Sequence, residues 1–457
     1  MSRFGSLVDN GATFVLAGVR LVDGQGEGRV GDLAVVDGFI VDPLSVRSQA
    51  PRVDATNLVV APGLCDLHVH LREPGDEGSE TVESGARAAA HGGFTTICAM
   101  PNTDPPLDNA ALVTRVRDQG RDAACRVRVV AAATRGRAGA EAADVEELAA
   151  LGIVGVSDDG VAVVSRDVAE ALLARLRTVN LPLIEHAEAA EPARGSVMRA
   201  GPTSTRLGLT GWPPEAESRI VERDIELAEE VGGWVHFTHV STAASLEAIR
   251  GAKERGVHVT CDVTPHHLAL TDSWVAGSRS FAWEDGEREP FQGSLDPKLA
   301  YDGACRVNPP LASRGDAQAL LDGLADGTID AIATDHAPHP PQRKAVEFGN
   351  AAPGMIGLDT ALSIGLAAVE AGGLTLGRLI EALSLRPASL IGESRSLAIG
   401  QQADLVVFEP AARWRVEASA LASASCNTPL IGRELPGVVR LTVVGGKITY
   451  RDGLAAI

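Results

Sequence analysis

The chain is poor in lysine and in aromatic side chains, and acidic residues far outnumber basic ones. Of its 457 residues only four are lysines, aromatic residues make up 4%, and the formal net charge is -19. Nucleic-acid binding depends on clustered Lys and Arg that neutralise phosphates. This charge balance therefore argues against a nucleic acid as a partner.

Paired cysteines and long apolar runs are also missing. None of the six cysteines forms a CxxC pair, and most lie in apolar runs, which favours free thiols in a reducing cytosol. The first residues lack the charged start, apolar core and cleavage site of a secretory signal. No run reaches the roughly 20 apolar residues that a membrane helix needs. We therefore expect a cytoplasmic protein with no membrane partner.

Short β-strands are predicted at both ends of the chain. Residues 12–60 contain apolar runs separated by turn residues, and the same pattern returns in "ADLVVFEP" and "RLTVVGGKITY". We expect the two ends to form one small, discontinuous β-sandwich domain from residues 1–60 plus 386–457.

The middle of the chain, residues 61–385, alternates strand-like runs with helical stretches rich in Ala, Leu and Glu. The eight predicted strands are 64–70, 94–100, 126–133, 153–157, 182–186, 234–239, 257–262 and 329–335. Such alternation predicts an α/β fold with parallel strands, and eight repeats indicate a (β/α)8 TIM barrel. The interval 271–310 has no clear period, and we interpret it as a loop that serves function rather than packing.

Polar residues follow several predicted strands, at the end where barrel active sites form. The first strand ends in an HxH pair whose rings point to one side, because side chains alternate along a strand. The other polar strand ends are "SDDG", "IEHAE", "FTHVS" and "IATDHAPH". Histidines and carboxylates together form a nitrogen and oxygen ligand set that suits Zn²⁺. The remaining histidines of interest are interpreted as structural or supporting: His91, His236, His258, His266 and His267.

Taken together, these motifs resemble the cyclic amidohydrolases and, within them, the type I bacterial dihydroorotases. The matching stretches include "DLHVHLREPG", "AAAHGGFTTICAMPNTDPP", "GVSDDG", "HFTHVSTAASLEAIRGAK", "RVNPPLAS", "GTIDAIATDHAPH" and "APGMIGLDTAL". The resemblance runs from about residue 15 to 450. It implies an enzyme with one or two zinc ions that interconverts N-carbamoyl-L-aspartate and (S)-dihydroorotate in pyrimidine synthesis.

The resemblance also implies roles for individual residues. The implied metal ligands are His68, His70, Asp159, His186, His239 and Asp335, and Asp335 is also the catalytic base and acid. The implied substrate contacts are His70, Leu71, Arg72, Asn102, Asn308, His339, Pro353 and Gly354. Arg72 and Asn102 would hold the substrate carboxylate, for which a guanidinium is a good match.

The scarcity of lysine helps to choose among the site types of the family. Some relatives bridge two metals with a carboxylated lysine near the fourth strand, but this chain has no lysine before Lys253. By the resemblance, Asp159 of "SDDG" takes the bridging role and Asp158 supports it.

Two alternatives stay open at this point. The first is another cyclic-amide hydrolase, such as a hydantoinase, dihydropyrimidinase or allantoinase, in which the pair Arg72 and Asn102 is usually absent. The second is a non-catalytic homologue that scaffolds aspartate transcarbamoylase and typically loses metal ligands. We expect a homo-oligomer, with aspartate transcarbamoylase as a candidate partner.

Overall fold

The structure is a computed structural model, and it describes residues 11–24, 26, 28–46, 50–284 and 295–452. Its strands are β1 (Phe14–Leu21), β2 (Arg29–Val36), β3 (Phe39–Val41), β4 (Arg52–Asp54), β5 (Val59–Pro62), β6 (Leu64–Val69), β7 (Phe94–Ala99), β8 (Arg126–Val129), β9 (Ala131–Ala132), β10 (Val156–Ser157), β11 (Leu183–Glu185), β12 (Met198–Arg199), β13 (Gly211–Trp212), β14 (Val235–Phe237), β15 (Val259–Val263), β16 (Ala331–Ile332), β17 (Leu405–Arg415), β18 (Glu434–Val444) and β19 (Lys447–Arg451). Its α-helices are α1 (Val82–His91), α2 (Ala110–Gln119), α3 (Val145–Ala150), α4 (Arg166–Val179), α5 (Ala190–Ala193), α6 (Pro202–Leu207), α7 (Glu215–Val231), α8 (Ala243–Glu254), α9 (Pro265–Ala269), α10 (Arg314–Asp326), α11 (Pro341–Lys344), α12 (Ala361–Glu370), α13 (Leu376–Ile380) and α14 (Arg386–Leu390).

Strands from both ends of the chain share one sheet, in the order β19-β18-β17-β5-β1-β2-β3, with β4 beside β1. The join is the antiparallel pairing of β17 with β5, from Leu405 opposite Pro62 to Phe408 opposite Val59. The buried side of this sheet includes Phe14, Leu16 and Val407. The two predicted β-rich ends therefore come together in space.

The strands of the middle segment are parallel and follow one another in chain order. β6, β7 and β8 form one group, and β9, β10, β11, β14, β15 and β16 form the next. Only Val130 separates β8 from β9, and the nitrogen of Val130 donates to the carbonyl of Ala99. After β16, His336 forms a parallel bridge with Val69, so the pairing returns to β6. Each of the eight predicted spans overlaps an observed strand.

The helices between these strands have the apolar spacing that packing against a sheet requires. In α4 the buried residues are Ala169, Leu172, Leu173 and Leu176, which recur every three or four positions on one face. The hydroxyl of Ser165 caps the first turn, and Asn180 ends the helix in the left-handed conformation at φ 53°. No helix in the described part of the chain is long and apolar enough to cross a membrane.

The sequence predicts a functional loop over the interval 271–310, but the first part of this interval packs in the core. Trp274 and Phe281 are 0% and 1% exposed and pack into an apolar cluster with Val307. Large aromatic side chains gain most when they are fully buried, so this stretch packs as core. Residues 285–294 of the interval lie outside the described residues.

Candidate active site

The six residues predicted as metal ligands come together, and none of them is more than 6% exposed. Nε2 of His68 lies 3.2 Å from Nε2 of His70, and Nδ1 of His186 lies 2.9 Å from Nε2 of His239. The two histidine pairs come from β6 and from the ends of β11 and β14. The structure thus gathers residues that lie up to 267 positions apart into one buried cluster.

Asp159 lies at the centre of the cluster. Its Oδ1 is 3.3 Å from Nε2 of His68, 3.5 Å from Nδ1 of His186 and 3.7 Å from Nε2 of His239. This oxygen is buried and has no hydrogen-bond partner among the described residues. A buried carboxylate oxygen without a partner is costly unless a cation approaches it.

The outer nitrogens of the histidines show which way the inner lone pairs point. Nδ1 of His70 lies 2.8 Å from Oδ1 of Asn102, and Nε2 of His186 lies 3.0 Å from Oε2 of Glu188. Both oxygens only accept hydrogen bonds, so these outer nitrogens carry the protons. The inner nitrogens of His70 and His186 therefore present lone pairs toward Asp159, as metal ligands do.

Two overlapping groups of ligand atoms meet the spacing of metal sites. One group is His68, His70 and Asp159, the other is Asp159, His186 and His239, and within each group the ligand atoms lie within 4.8 Å of one another. Asp335 adds its Oδ1, which is 3.0 Å from Nε2 of His70. The residues present fit one divalent metal or two, with Asp159 shared between the groups.

Both carboxylates are held in the ionised form. Burial opposes ionisation of Asp159, but the charge of His68 and the nearby rings of His186 and His239 outweigh it and lower the pKa of Asp159 well below its usual value. Burial likewise opposes ionisation of Asp335, yet the close ring of His70 and the nearby charge of His68 lower its pKa. Ionised carboxylates are the form that binds a metal.

Three polar residues that follow strands near the cluster have unusual backbone conformations. Arg72, His239 and Asp335 have φ values of 60°, 40° and 47°, in the left-handed region that residues with a side chain rarely adopt. A hydrogen bond from another strand holds the turn at His239, since Asp262 of β15 accepts from the nitrogen of His239 at 2.7 Å. Strain of this kind concentrates at functional sites.

Several supporting residues were not assigned from the sequence. Asp66 accepts from the nitrogens of His68 and Thr334, and Thr238 lies 2.7 Å from Nδ1 of His68. Glu188 bonds to His186. Asp66 and Glu188 each lie two positions from a histidine that is predicted as a metal ligand, and this spacing could have identified them. Asp158 accepts from the nitrogen of Thr134 and stays outside the cluster.

Arg72 lies beside the cluster with much of its guanidinium uncommitted. Its Nε donates to the carbonyl of Pro338 at 3.2 Å, and Nη2 lies 3.3 Å from Nε2 of His339. Within the described residues, no carboxylate forms an ion pair with Arg72. Asp335 and Asp159 are near enough to act on its pKa, although burial is the largest influence and lowers it.

The other predicted substrate residues differ in how many of their polar groups already have hydrogen-bond partners and in how deeply they are buried. Asn102 already bonds to His70 through Oδ1 and donates to Oδ2 of Asp159 at 3.0 Å. The amide of Asn308 donates to Glu188. The side chain of Leu71 is 2% exposed and packs in the main core, so only its backbone can reach a ligand.

His339, Pro353 and Gly354 form one wall near Arg72. Nε2 of His339 donates to the carbonyl of Pro353 at 2.8 Å. Burial and the charge of Arg72 lower the pKa of His339 to about 3, so its ring is neutral at neutral pH. Gly354 has φ 125°, and a Cβ there would lie 2.6 Å from Cβ of Ala337, so only glycine fits.

The remaining histidines of interest lie outside the ligand set. His236 bonds to Thr260 and Asp262, and His267 lies between Thr264 and the carbonyl of Pro309. His266 is buried, which lowers its pKa to about 4.

Comparisons with known proteins concern the sequence and the fold. The sequence model of the amidohydrolase family matches residues 59–449. The chain is 45% identical over 447 residues to a dihydroorotase from Anaeromyxobacter sp. (strain K), which covers 96% of this chain and 98% of that protein. A dihydroorotase from Pelobacter propionicus is 43% identical over 438 residues, covering 94% and 98%.

Solved structures with the same fold include enzymes named for other rings. An L-hydantoinase (dihydropyrimidinase) from Arthrobacter aurescens has a TM-score of 0.81 at 24% identity and covers 98% of each chain. A dihydropyrimidinase from Brevibacillus agri has a TM-score of 0.78 at 20% identity, with 96% of this chain and 95% of that chain covered. At these identities the likeness concerns the fold alone. Because the family model matches most of the sequence, and relatives above 40% identity align along nearly all of it, the chain belongs to the amidohydrolases and, within them, to the dihydroorotase family.

Proposed function

We propose that the site catalyses the reversible closure of N-carbamoyl-L-aspartate to (S)-dihydroorotate, the third step of pyrimidine (UMP) synthesis. Family membership makes the chain a hydrolase that acts on a cyclic amide. The choice of ring depends on one observation, the partly buried guanidinium of Arg72 without a carboxylate partner in the described part of the chain.

A partly buried cation is stabilised when an anion or well-placed acceptors compensate its lost hydration. Arg72 spends one donor on a carbonyl and keeps others free beside the histidine cluster. The planar fork of a guanidinium matches a carboxylate in two parallel hydrogen bonds. Dihydroorotate carries such a carboxylate next to its ring amide, whereas hydantoin and allantoin do not, so Arg72 favours dihydroorotate.

The proposed cofactor is zinc, one or two ions, held by His68, His70, Asp159, His186, His239 and Asp335. Zinc in a site of nitrogen and oxygen ligands lowers the pKa of water and polarises a carbonyl group. The shared position of Asp159 supports a second ion, because its Oδ1 faces histidines of both groups.

The chain itself supplies binding and proton transfer. Arg72, with Asn102 beside it, would hold the substrate carboxylate, while His339, Gly354 and Asn308 line the remainder of the pocket. Ring opening adds one water: the carbon–nitrogen bond breaks, the carbonyl carbon gains an oxygen, and the ring nitrogen gains a proton. Asp335 would take that proton from the water and deliver it to the nitrogen, and ring closure reverses the transfer.

We also propose the finer architecture and setting. The return of the strand pairing from His336 to Val69 supports a closed (β/α)8 barrel of residues 61–385. The shared terminal sheet supports a separate β-domain of residues 1–60 plus 386–457. Free cysteines, five of them buried, support a cytoplasmic protein. A homo-oligomer, with aspartate transcarbamoylase as a candidate partner, stays a prediction.

A comparison of substrates tests the proposal. The zinc-loaded protein should turn over dihydroorotate and leave hydantoin and allantoin nearly unchanged, and Asp335→Asn should lose activity while keeping the fold. Turnover of another ring in place of dihydroorotate would reject the substrate assignment. A protein with neither bound zinc nor activity would favour the scaffold alternative.

A further inference from the structure

Lys344, the last residue of α11, is a buried lysine near the proposed substrate pocket. It is 7% exposed, whereas Lys298 and Lys447 are exposed and the partly buried Lys253 pairs with Asp330. No carboxylate of the described residues forms an ion pair with it. Lys344 therefore needs another source of stabilisation for its ammonium group.

Three backbone carbonyls supply that stabilisation. Nζ of Lys344 donates to the carbonyl of Arg306 at 3.1 Å, of Ala352 at 2.7 Å and of Gly354 at 2.8 Å. The protonated amino group has three donors, and here each has one acceptor; the neutral amine keeps two of these donors. The group is fully satisfied in a site that water barely reaches, which makes the position of all three carbonyls dependent on it.

The three carbonyls belong to the two segments that line the proposed pocket. Arg306 lies two residues before Asn308. Ala352 and Gly354 flank Pro353, whose carbonyl accepts from His339. The two segments also bond directly, since the nitrogen of Gly354 donates to the carbonyl of Arg306 at 2.9 Å.

Asn427 completes the connection to His339. Its Nδ2 donates to the carbonyls of Ala337 and Gly354, and its Oδ1 accepts from the nitrogen of His339 at 3.0 Å. The carbonyl of Gly354 thus receives both Lys344 and Asn427. His339 in turn contacts Arg72, which we propose as the carboxylate binder.

We propose that Lys344 is a positioning residue for the substrate: it fixes the segments of Asn308 and Pro353–Gly354 so that His339 and Arg72 keep the geometry that binds the ring and its carboxylate. This inference rests on the proposed function. Lys344 does not touch the predicted metal ligands, so its role separates from zinc binding.

The experiment compares Lys344→Met with the matched control Lys447→Met, an exposed lysine of β19. In the zinc-loaded full chain, Lys344→Met should raise KM for dihydroorotate by about tenfold and change kcat by less than about threefold, since it loosens binding common to ground and transition states. Zinc content should stay at the wild-type level. Hydrogen exchange should quicken at the amide of Gly354, and Lys447→Met should match wild type in every measurement.

Lys344→Gln gives a second, milder test, because its amide keeps two donors and should recover part of the KM. An active wild type with an unchanged KM in Lys344→Met would overturn this inference alone. A wild type that does not process dihydroorotate would overturn the proposed function and this inference with it. Failure of both variants to fold would also overturn it, because Lys344 would then serve the fold rather than the pocket.

Discussion

The amide nitrogen of Asn308 donates a hydrogen bond of 2.7 Å to Oε2 of Glu188. The same carboxylate oxygen lies 3.0 Å from Nε2 of His186, a predicted metal ligand. Glu188 therefore links the proposed substrate pocket to the proposed metal centre. The bond also orients Asn308, because its nitrogen is committed to Glu188 and its oxygen is left to accept from a ligand.

We expect Glu188→Gln to weaken both metal binding and substrate turnover. The variant removes the charge that fixes the His186 ring, and partners of this kind typically contribute tenfold or more to metal affinity or activity. A zinc competition titration against a chelator should show affinity lowered about tenfold, with a comparable fall in kcat/KM. Glu191→Gln, an exposed neighbour paired with Arg194, is the control. Equal zinc affinity and equal kcat/KM in Glu188→Gln would contradict the prediction.

The variant Arg72→Lys tests whether substrate binding needs the planar shape of the guanidinium as well as its charge. Lysine keeps the positive charge but lacks the planar fork, so the carboxylate loses one of two parallel hydrogen bonds. A hydrogen bond to a charged group contributes about 1.5–3 kcal/mol, which corresponds to a fall in kcat/KM of about 10- to 100-fold. Steady-state kinetics with dihydroorotate measure this change, which should appear mainly as a higher KM. Arg343→Lys, on a half-exposed arginine paired with Asp76, should behave as wild type; an equal effect of the two variants would speak against a carboxylate-binding Arg72.

Removal of the metal should destabilise the fold as well as stop the reaction. Lone pairs of His70 and His186 face the Asp159 carboxylate, an arrangement that a bound cation stabilises. We expect a chelator to lower the melting temperature, and His70→Ala to lower the zinc content and to show a smaller shift with chelator. His258→Ala, on a ring that stacks on Trp234 at 4.9 Å, is the matched control. A wild-type zinc content in His70→Ala would remove that residue from the ligand set.

The stability of the fold should depend on pH through Lys344. Burial lowers the pKa of Lys344 to about 7; Arg306 lowers it further, while Cys305 and Asp302 act in the opposite direction. An unfolded lysine has a pKa of about 10.4, so between pH 7 and pH 10 the unfolded chain binds a proton that the folded chain has released. The free energy of unfolding contributed by this group therefore rises with pH over that window.

Melting temperatures of wild type and Lys344→Met, measured from pH 6 to pH 9.5, check this expectation. The wild type should gain stability relative to the variant as the pH rises above 7. A difference that does not change with pH would show that the lysine keeps its proton throughout.

The sequence predicts that the histidines and carboxylates come together because a local rule places them. Side chains alternate along β6, so His68 and His70 share a side, and polar residues at the ends of parallel strands meet at one edge. The same rule brings in His186, His239 and Asp335 without knowledge of any contact between them.

The predicted strands are too long where the chain turns toward the site. The span 329–335 contains only β16, Ala331–Ile332, because Asp335 takes a left-handed conformation that leaves the ladder. An apolar run gives no sign of such a turn, since hydrogen bonds from elsewhere in the chain stabilise it.

Residues whose role depends on contacts between segments far apart in the sequence were not predicted. Lys344 and Asn427 meet at the carbonyl of Gly354, and neither lies in a periodic pattern. Asp262 reaches His239 from the neighbouring strand. Such pairs depend on how elements pack together, which hydrophobic periodicity does not encode.

The pairing of β17 with β5 also sets an order of events during synthesis. Only Gly63 separates β5 from β6, and its nitrogen donates to the carbonyl of Asp404. β5 thus gains its neighbour β17 from a segment that leaves the ribosome about 340 residues later. Contacts so distant along the chain form slowly and expose unpaired edges meanwhile. A chain that stops before β17 therefore lacks the partner of β5, the strand that leads through Gly63 into β6 and the predicted ligand His68.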